Sequence, residues 1–217
     1  MPNSPREAAA ALRNGNTERI DVGRVAFQDF SGKTAERFFL NVSSLGLAAS
    51  IIERVKRQNR VFDWLPVQAL RGQANFAAST LAGILEVAPF TVRVSIDSEA
   101  ETTLQTINFC VANARYFGGG MMVAPDAKLS DGLLDVVNIG DLSTATILAR
   151  GYTLYRGTHL SLQNVGSRTA RRIEVWPLNP GEEVRIETDG ELPGRLPAVW
   201  EVVPAALRLR VPRKPAK

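Results

Sequence analysis

Residues 186–194, IETDGELPG, place an Asp-Gly pair directly after a segment with strand character. Asp-Gly between two strands is a strong signal for a tight hairpin, which favours an antiparallel sheet. If the strand instead continued through Gly190, Asp189 and Glu191 would lie on one face, about 6 to 7 Å apart. Like charges so placed raise one pKa and yield a proton acceptor near neutral pH. The residues alone leave both interpretations open.

Segments of β-type composition recur on both sides of this stretch. Strands are predicted at 19–27, 37–46, 90–96, 102–114, 133–139, 171–178, 183–188, 198–203 and 207–211. Helical spacing or caps predict a short helix at 5–13 and two inserted helices at 66–86 and 143–156. Strands in hairpin-like succession predict an α+β, mainly β fold, an antiparallel β-sandwich with two inserted helices. We expect residues 1–16 to form an N-terminal helix and linker, and residues 17–217 to form one domain.

The composition of the chain limits the cellular compartment and the classes of binding partner that we expect. The chain has 217 residues, a net charge of +4 and a single cysteine, so an intrachain disulfide is excluded and a reducing cytoplasm is expected. The N-terminus lacks the apolar core of a signal peptide, and no uninterrupted apolar run of about 18 residues is present. The basic segment 54–60 predicts peripheral contact with an anionic membrane, at the inner membrane surface. Scattered basic residues without a recognition motif argue against nucleic-acid binding.

Two sequence features resemble known sites and are rejected as such. The string SGKT at 31–34 lacks the glycine of a phosphate-binding loop, since Phe27 stands at that position, and a strand follows it instead of a helix. One histidine, His159, and one cysteine, Cys110, cannot supply a histidine-rich zinc site. We expect His159 to have a structural role.

The stretch NARYFGGGMMVAPDAKLSDGLLDVV, residues 113–137, combines three consecutive glycines with an acidic turn. The glycines are expected to let the backbone approach another surface closely. In the turn, the Asp131 carboxylate and nearby backbone carbonyls offer the oxygen ligands that a hard divalent cation prefers. An ordinary Asp-Gly turn into the following strand is the alternative.

Three stretches in order, FFLNVSSLGLAA (38–49), NARYFGGGMMVAPDAKLSDGLLDVVNI (113–139) and TDGELPGRLPAVWEVVPAALRLRVP (188–212), resemble the C-terminal half of the diacylglycerol kinase, sphingosine kinase and YegS-like bacterial lipid kinase family. The resemblance implies a β-sandwich domain that pairs with an N-terminal nucleotide-binding domain across an ATP cleft. It implies that Glu191 is the general base and that Asp189 assists it. It also implies a Mg²⁺ site formed by the Lys128 carbonyl, the Asp131 carboxylate and the Leu133 carbonyl.

One departure from that family limits the expected activity. The Gly-Gly-Asp-Gly-Thr motif of the nucleotide-binding half does not occur in this sequence. We therefore expect the substrate-binding, base-supplying domain of an ATP-dependent kinase acting on a diacylglycerol-like lipid hydroxyl. ATP would be a co-substrate only with a separate or missing nucleotide-binding domain, and the chain alone is expected to be inactive. The alternative is a non-catalytic lipid-binding or regulatory module derived from the same family.

Overall fold

The computed structural model describes residues 4–57 and 68–213, without the side chains of residues 68–73 and 75. The helices are α1 Pro5–Asn14, α2 Leu47–Arg57, α3 Gln68–Glu86, α4 Thr144–Arg150 and α5 Tyr152–Arg156. The strands are β1 Asn16–Gln28, β2 Thr34–Phe39, β3 Val42–Gly46, β4 Phe90–Ile96, β5 Thr102–Thr106, β6 Asn108–Ala112, β7 Tyr116–Phe117, β8 Met121–Met122, β9 Leu134–Ile139, β10 Val165–Ala170, β11 Arg172–Pro177, β12 Arg185–Thr188 and β13 Glu191–Val211.

Eleven strands of the described chain join one curled sheet, which confirms the predicted mainly β, sandwich-like fold. Nine strands follow the order β10-β9-β6-β3-β12-β13-β11-β4-β5, and β1 adds to β13 and carries β2. The strand pairs of this sheet are antiparallel, from the β1–β13 pair to the β6–β9 pair. Strands β7 and β8 form a separate short hairpin.

The longest pairing, β1 with β13, forms the spine of the sheet. It runs from Asn16 opposite Val211 to Gln28 opposite Arg195. Trp200 lies in the middle of β13 and is fully buried in the main hydrophobic cluster. Burying an aromatic side chain of this size contributes several kilocalories per mole to folding, so the core itself supports the pairing of β1 with β13.

Several predicted boundaries are wrong in informative ways. Helix α2 was not predicted, and the helix expected at 143–156 is divided into α4 and α5 at Gly151. Ser143 caps α4 and Gly157 ends α5 in the left-handed conformation, as the sequence predicts. Residues 66 and 67, at the start of the helix predicted at 66–86, lie outside the described residues. Strand β10 is a further element that the sequence did not predict.

Two features at the start of the chain are structural. Helix α1 lies against the end of β13, where the Arg210 guanidinium donates a hydrogen bond to the Leu12 carbonyl at 3.2 Å. The SGKT string lies in the β1–β2 connection, where the Asp29 carboxylate accepts hydrogen bonds from the backbone N–H groups of Ser31 and Lys33, both at 2.9 Å. The string is thus a hairpin turn and not a phosphate-binding loop. The boundary expected at residue 16 stays a prediction.

Candidate functional site

The Asp-Gly pair forms a two-residue hairpin turn between β12 and β13. Thr188 pairs with Glu191, and both turn residues have positive φ, 46° at Asp189 and 87° at Gly190. This mirror-image turn matches the twist of the strands and is the reason that Asp-Gly is favoured there. Of the two interpretations left open by the sequence, the continuous strand with Asp189 and Glu191 on one face is therefore wrong, because the chain reverses between them.

Asp189 anchors the turn to the chain segment between β2 and β3. Its carboxylate accepts hydrogen bonds from the backbone N–H groups of Leu40 at 2.7 Å, Asn41 at 3.0 Å and Val42 at 3.1 Å. The backbone N–H of Asp189 donates to the Val42 carbonyl at 3.0 Å. These four contacts fix the position of the hairpin that carries Glu191.

Glu191 lies on the surface beside the end of α2. Its carboxylate forms an ion pair with the Lys56 ammonium at 2.5 Å, and the Glu191 side chain is 58% exposed. The hydrogen bond and the charge of Lys56 lower the pKa of Glu191, whereas the shared-face interpretation required one raised pKa in this pair. Glu191 is therefore ionised at neutral pH and is accessible to a partner or a substrate.

Glu187 is the carboxylate that the sequence interpretation missed. It is only 6% exposed, and it accepts hydrogen bonds from the Ser44 hydroxyl at 2.7 Å and from the Gly190 N–H at 2.5 Å. Burial raises the pKa of the Glu187 carboxyl to about 6, against the opposing effect of these two hydrogen bonds. The position of Glu187 could have been predicted from the alternation of side chains along β12. Because Ile186 faces the core, Glu187 must face the opposite side of the sheet.

A cavity of about 460 Å³ lies between the sheet and the helices α2, α3, α4 and α5. Most of its lining is apolar, with side chains such as Ile51, Phe76 and Leu154. Glu187, Asp189, Asn41 and Asn108 add polar groups to the lining, together with His159. An apolar cavity of this size with a few converging polar groups is the usual form of a small-molecule site.

His159 has the structural surroundings that we expected. It is 2% exposed, and its Nε2 lies 3.0 Å from the Val123 carbonyl oxygen. Burial lowers the pKa of the imidazole, so the ring is neutral at pH 7. A neutral ring in this position links the segment after α5 to the segment after β8.

The glycine run at 118–120 has a different cause from the one expected. Its three residues have positive φ, between 40° and 94°. A Cβ added at Gly119 or Gly120 would meet nothing within 4 Å, so the expected close approach to another surface is wrong for these two. Only the conformation of the β7–β8 turn requires glycine there.

The acidic turn before β9 is held in place by a buried aspartate that the sequence interpretation did not select. Asp21 accepts hydrogen bonds from the Gly132 N–H at 2.8 Å and the Ala205 N–H at 2.7 Å. It is 2% exposed and sits at an irregularity of β1, between Ile20 and Val22. Asp21 thus ties the turn to the spine of the sheet.

The three residues predicted to bind Mg²⁺ belong to this turn. Lys128 and Asp131 are exposed, Leu133 is half-buried, and the Asp131 carboxylate accepts a hydrogen bond from the Leu133 N–H at 3.1 Å. Burial, then the charges of Asp131 and Asp126, raise the pKa of Asp135 to about 6. Within residues 4–57 and 68–213, no group of three His, Cys, Asp or Glu side chains surrounds one point, so backbone carbonyls would have to complete any site. One carboxylate, that of Asp131, together with backbone carbonyls is an oxygen-only donor set, which fits a hard cation.

Comparison with known proteins places the chain in a family. Residues 45–211 match the family model described as the YegS C-terminal NAD kinase beta sandwich-like domain. A diacylglycerol kinase of Mycobacterium tuberculosis is 30% identical over 210 residues, which cover 97% of this chain and 62% of that protein. A diacylglycerol kinase of Bacillus subtilis is 23% identical over 217 residues, 98% of this chain and 65% of that protein.

Solved structures show the same fold. Two crystal structures from Bacillus anthracis superpose with TM-scores of 0.66 and 0.60 at 20% and 17% identity, and each comparison covers 96% of this chain. The second bears the name diacylglycerol kinase. The chain spans less than two thirds of the length of these relatives. It belongs to the YegS C-terminal NAD kinase beta sandwich-like domain family.

Proposed function

We propose that this chain is the lipid-binding and base-supplying domain of an ATP-dependent kinase that phosphorylates the hydroxyl group of a diacylglycerol-like lipid. The cavity carries this proposal, since about 460 Å³ of mainly apolar space lies against the acidic hairpin. An apolar interior accommodates an acyl chain, and the Glu187 and Asp189 carboxylates in the cavity wall would face the polar end of such a lipid. The names of the relatives, which are lipid kinases, support the same conclusion.

In the proposed reaction, Glu191 takes the proton of the lipid hydroxyl while the hydroxyl oxygen attacks the γ-phosphorus of ATP and the bond to ADP breaks. Its ion pair with Lys56 keeps the carboxylate ionised, which a proton acceptor requires. The same ion pair makes Glu191 a weaker base, so separation from Lys56 on substrate binding would strengthen it. Asp189 acts through its three backbone hydrogen bonds, which fix the turn.

ATP and Mg²⁺ enter this proposal at different places. Phosphoryl transfer depends on a cradle for the nucleotide phosphates, and we propose that a separate nucleotide-binding domain provides it. The Asp131 carboxylate, with the backbone carbonyls of Lys128 and Leu133, would hold Mg²⁺ in the acidic turn. Bound there, the cation would offset the repulsion among the carboxylates and stabilise the turn.

The proposed membrane contact combines charge with exposed apolar side chains. The described part of the basic segment 54–60 contains three ion pairs, namely Arg54 with Glu86, Lys56 with Glu191 and Arg57 with Glu53. These pairs reduce the positive charge that the segment can offer to a membrane. Around the cavity, large apolar side chains of α3, α4 and α5 are about half exposed, namely Leu81, Leu85, Leu148, Tyr152 and Tyr155. Leucine and tyrosine side chains of this kind insert at the boundary between lipid headgroups and acyl chains. No helix within the described residues is long and apolar enough to cross a membrane.

The test is phosphate transfer from radiolabelled ATP to diacylglycerol, with Mg²⁺, by the chain fused to a nucleotide-binding domain of a relative. We expect Glu191→Gln to lower the turnover by about 100-fold or more, as removal of a general base does. The control is Glu18→Gln, an exposed glutamate of β1 far along the chain from the hairpin. Full turnover of the Glu191→Gln enzyme would contradict the role of Glu191, and we expect no transfer by the unfused chain.

A non-catalytic lipid-binding module is the second candidate, because the Glu191 carboxylate is engaged by Lys56. This candidate predicts that the fused protein binds both the lipid and ATP without phosphate transfer. Equilibrium binding of each ligand, measured beside the transfer assay, separates the two candidates.

A further inference from the structure

We propose that Glu187 selects the headgroup of the bound lipid, by accepting a hydrogen bond from a hydroxyl or ammonium group and by excluding anionic headgroups. This inference rests on the proposed function, because it assumes that the cavity holds a lipid. It assigns a role to a residue that lies outside the Asp-Gly-Glu triplet itself, two positions before Asp189.

The Glu187 carboxylate retains acceptor capacity in the cavity wall. An ionised carboxylate offers about four acceptor positions on its two oxygens. In Glu187 each oxygen accepts one hydrogen bond, from the Ser44 hydroxyl or from the Gly190 N–H. The residue lines the cavity, so its remaining lone pairs are available to a donor on a ligand placed there.

Among the side chains that the structure describes, no cation neutralises the charge of Glu187. Its two described hydrogen-bond partners are uncharged, and the charged group that acts on it, Asp189, is also an acid. Lys56, a cation near the hairpin, is paired with Glu191. The polar part of the wall, from Glu187 to Gly190, therefore presents two negative side chains to a ligand.

Structure alone does not require a charge at this position. A glutamine could accept the hydrogen bond of Gly190 and donate one to the Ser44 hydroxyl without a buried charge. A carboxylate that is nine-tenths buried and unpaired weakens the fold, and such costs are typical of functional positions. The negative charge of Glu187 has a function if the ligand must donate a hydrogen bond to it and must carry no negative charge itself.

The experiment measures binding of three probes with the same 12-carbon chain to the 217-residue protein by titration calorimetry at neutral pH. The probes are dodecylglycerol, which has an uncharged hydroxylated headgroup, dodecylamine, which is cationic, and dodecyl phosphate, which is anionic. We expect the first two to bind at least about tenfold more tightly than dodecyl phosphate, since juxtaposed like charges are strongly unfavourable. Glu187→Gln should reduce that ratio by about tenfold, mainly through tighter binding of dodecyl phosphate, and the control Glu18→Gln should preserve it.

The outcomes separate this inference from the proposed function. Equal binding of the three probes by the unaltered chain would overturn the role of Glu187 and leave lipid binding intact. An unchanged ratio in a folded Glu187→Gln variant would also overturn it. Failure of all three probes to bind would refute lipid binding itself and the inference with it. Equal binding of the probes by the unaltered chain refutes the inference whether or not the variant folds.

Discussion

Replacement of Glu187 by glutamine should change how the stability of the protein depends on pH. The rise of the Glu187 pKa from an ordinary 4.5 to about 6 means that the folded protein holds this proton more tightly than the unfolded chain. The difference corresponds to about 2 kcal/mol. The stabilisation that comes from this bound proton is fully present below pH 4.5 and is lost as the pH rises through 6. The free energy of unfolding therefore falls across that pH range.

Glutamine has no such ionisation and can retain both hydrogen bonds, to Ser44 and Gly190. Relative to the unaltered protein, the Glu187→Gln variant should therefore gain about 2 kcal/mol of stability between about pH 4 and pH 8. The pKa of Asp135 is also raised to about 6, but this group is present in both proteins and its effect cancels in the difference. Of the nearby groups, the Cys110 thiol stays neutral because its pKa is raised by burial, and Asp189 is common to both proteins.

The assay is urea unfolding followed by circular dichroism at several pH values, with Glu18→Gln as the matched control on an exposed strand position. The control should show a difference from the unaltered protein that does not vary with pH. If the difference in unfolding free energy between Glu187→Gln and the unaltered protein were equally independent of pH, the burial of an ionised carboxylate at this position would not destabilise the fold. A charge on Glu187 would then cost the fold nothing and would need no function to offset it.

Three further predictions concern other parts of the site. Asp189→Ala should lower the free energy of unfolding by about 3 kcal/mol, since three backbone donors lose a charged acceptor, and Asp189→Asn should lose less; urea unfolding measures both. Mg²⁺ should raise the midpoint of thermal unfolding by a few degrees, and both EDTA and the Asp131→Ala substitution should abolish this shift. If the shift persisted in Asp131→Ala, the turn would not be the Mg²⁺ site. Sedimentation with anionic vesicles should fall at raised salt, and Tyr152→Ser combined with Tyr155→Ser should weaken it at every salt concentration; an unchanged bound fraction would place the contact elsewhere.

Helices and strands could be predicted from the sequence where the local composition and the strand pairing in the sheet favour the same element. Strand β4 has the predicted bounds, and the Asp-Gly turn is the hairpin that its composition indicates. The segment predicted at 102–114 divides at Ile107, because β5 pairs with β4 while β6 pairs with β3 and β9. Such a change of partner depends on strands far away in the chain, so local composition does not reveal it.

Other errors have the same origin in long-range pairing. The strands predicted at 198–203 and 207–211 are both part of β13, and β1 skips the irregular residues around Ala205, whose φ is 51°. Helix α2 was missed although Leu47, Ile51 and Val55 recur at helical spacing, since β-branched residues also favour strands. Burial of Ile51 at the sheet decides for the helix.

The acidic hairpin shows why residue type alone could not assign the site. Glu187, Asp189 and Glu191 alternate along five residues, yet the first is buried, the second is held by backbone donors and the third is paired with a cation. Because Lys56 lowers the pKa of Glu191 and burial raises that of Glu187 to about 6, the two carboxylates become protonated in different pH ranges on acidification. A turnover that persists well below pH 6 agrees with Glu191 as the proton acceptor, whereas a loss centred near 6 contradicts that role and points to a group whose pKa is raised to about 6, such as Glu187 or Asp135.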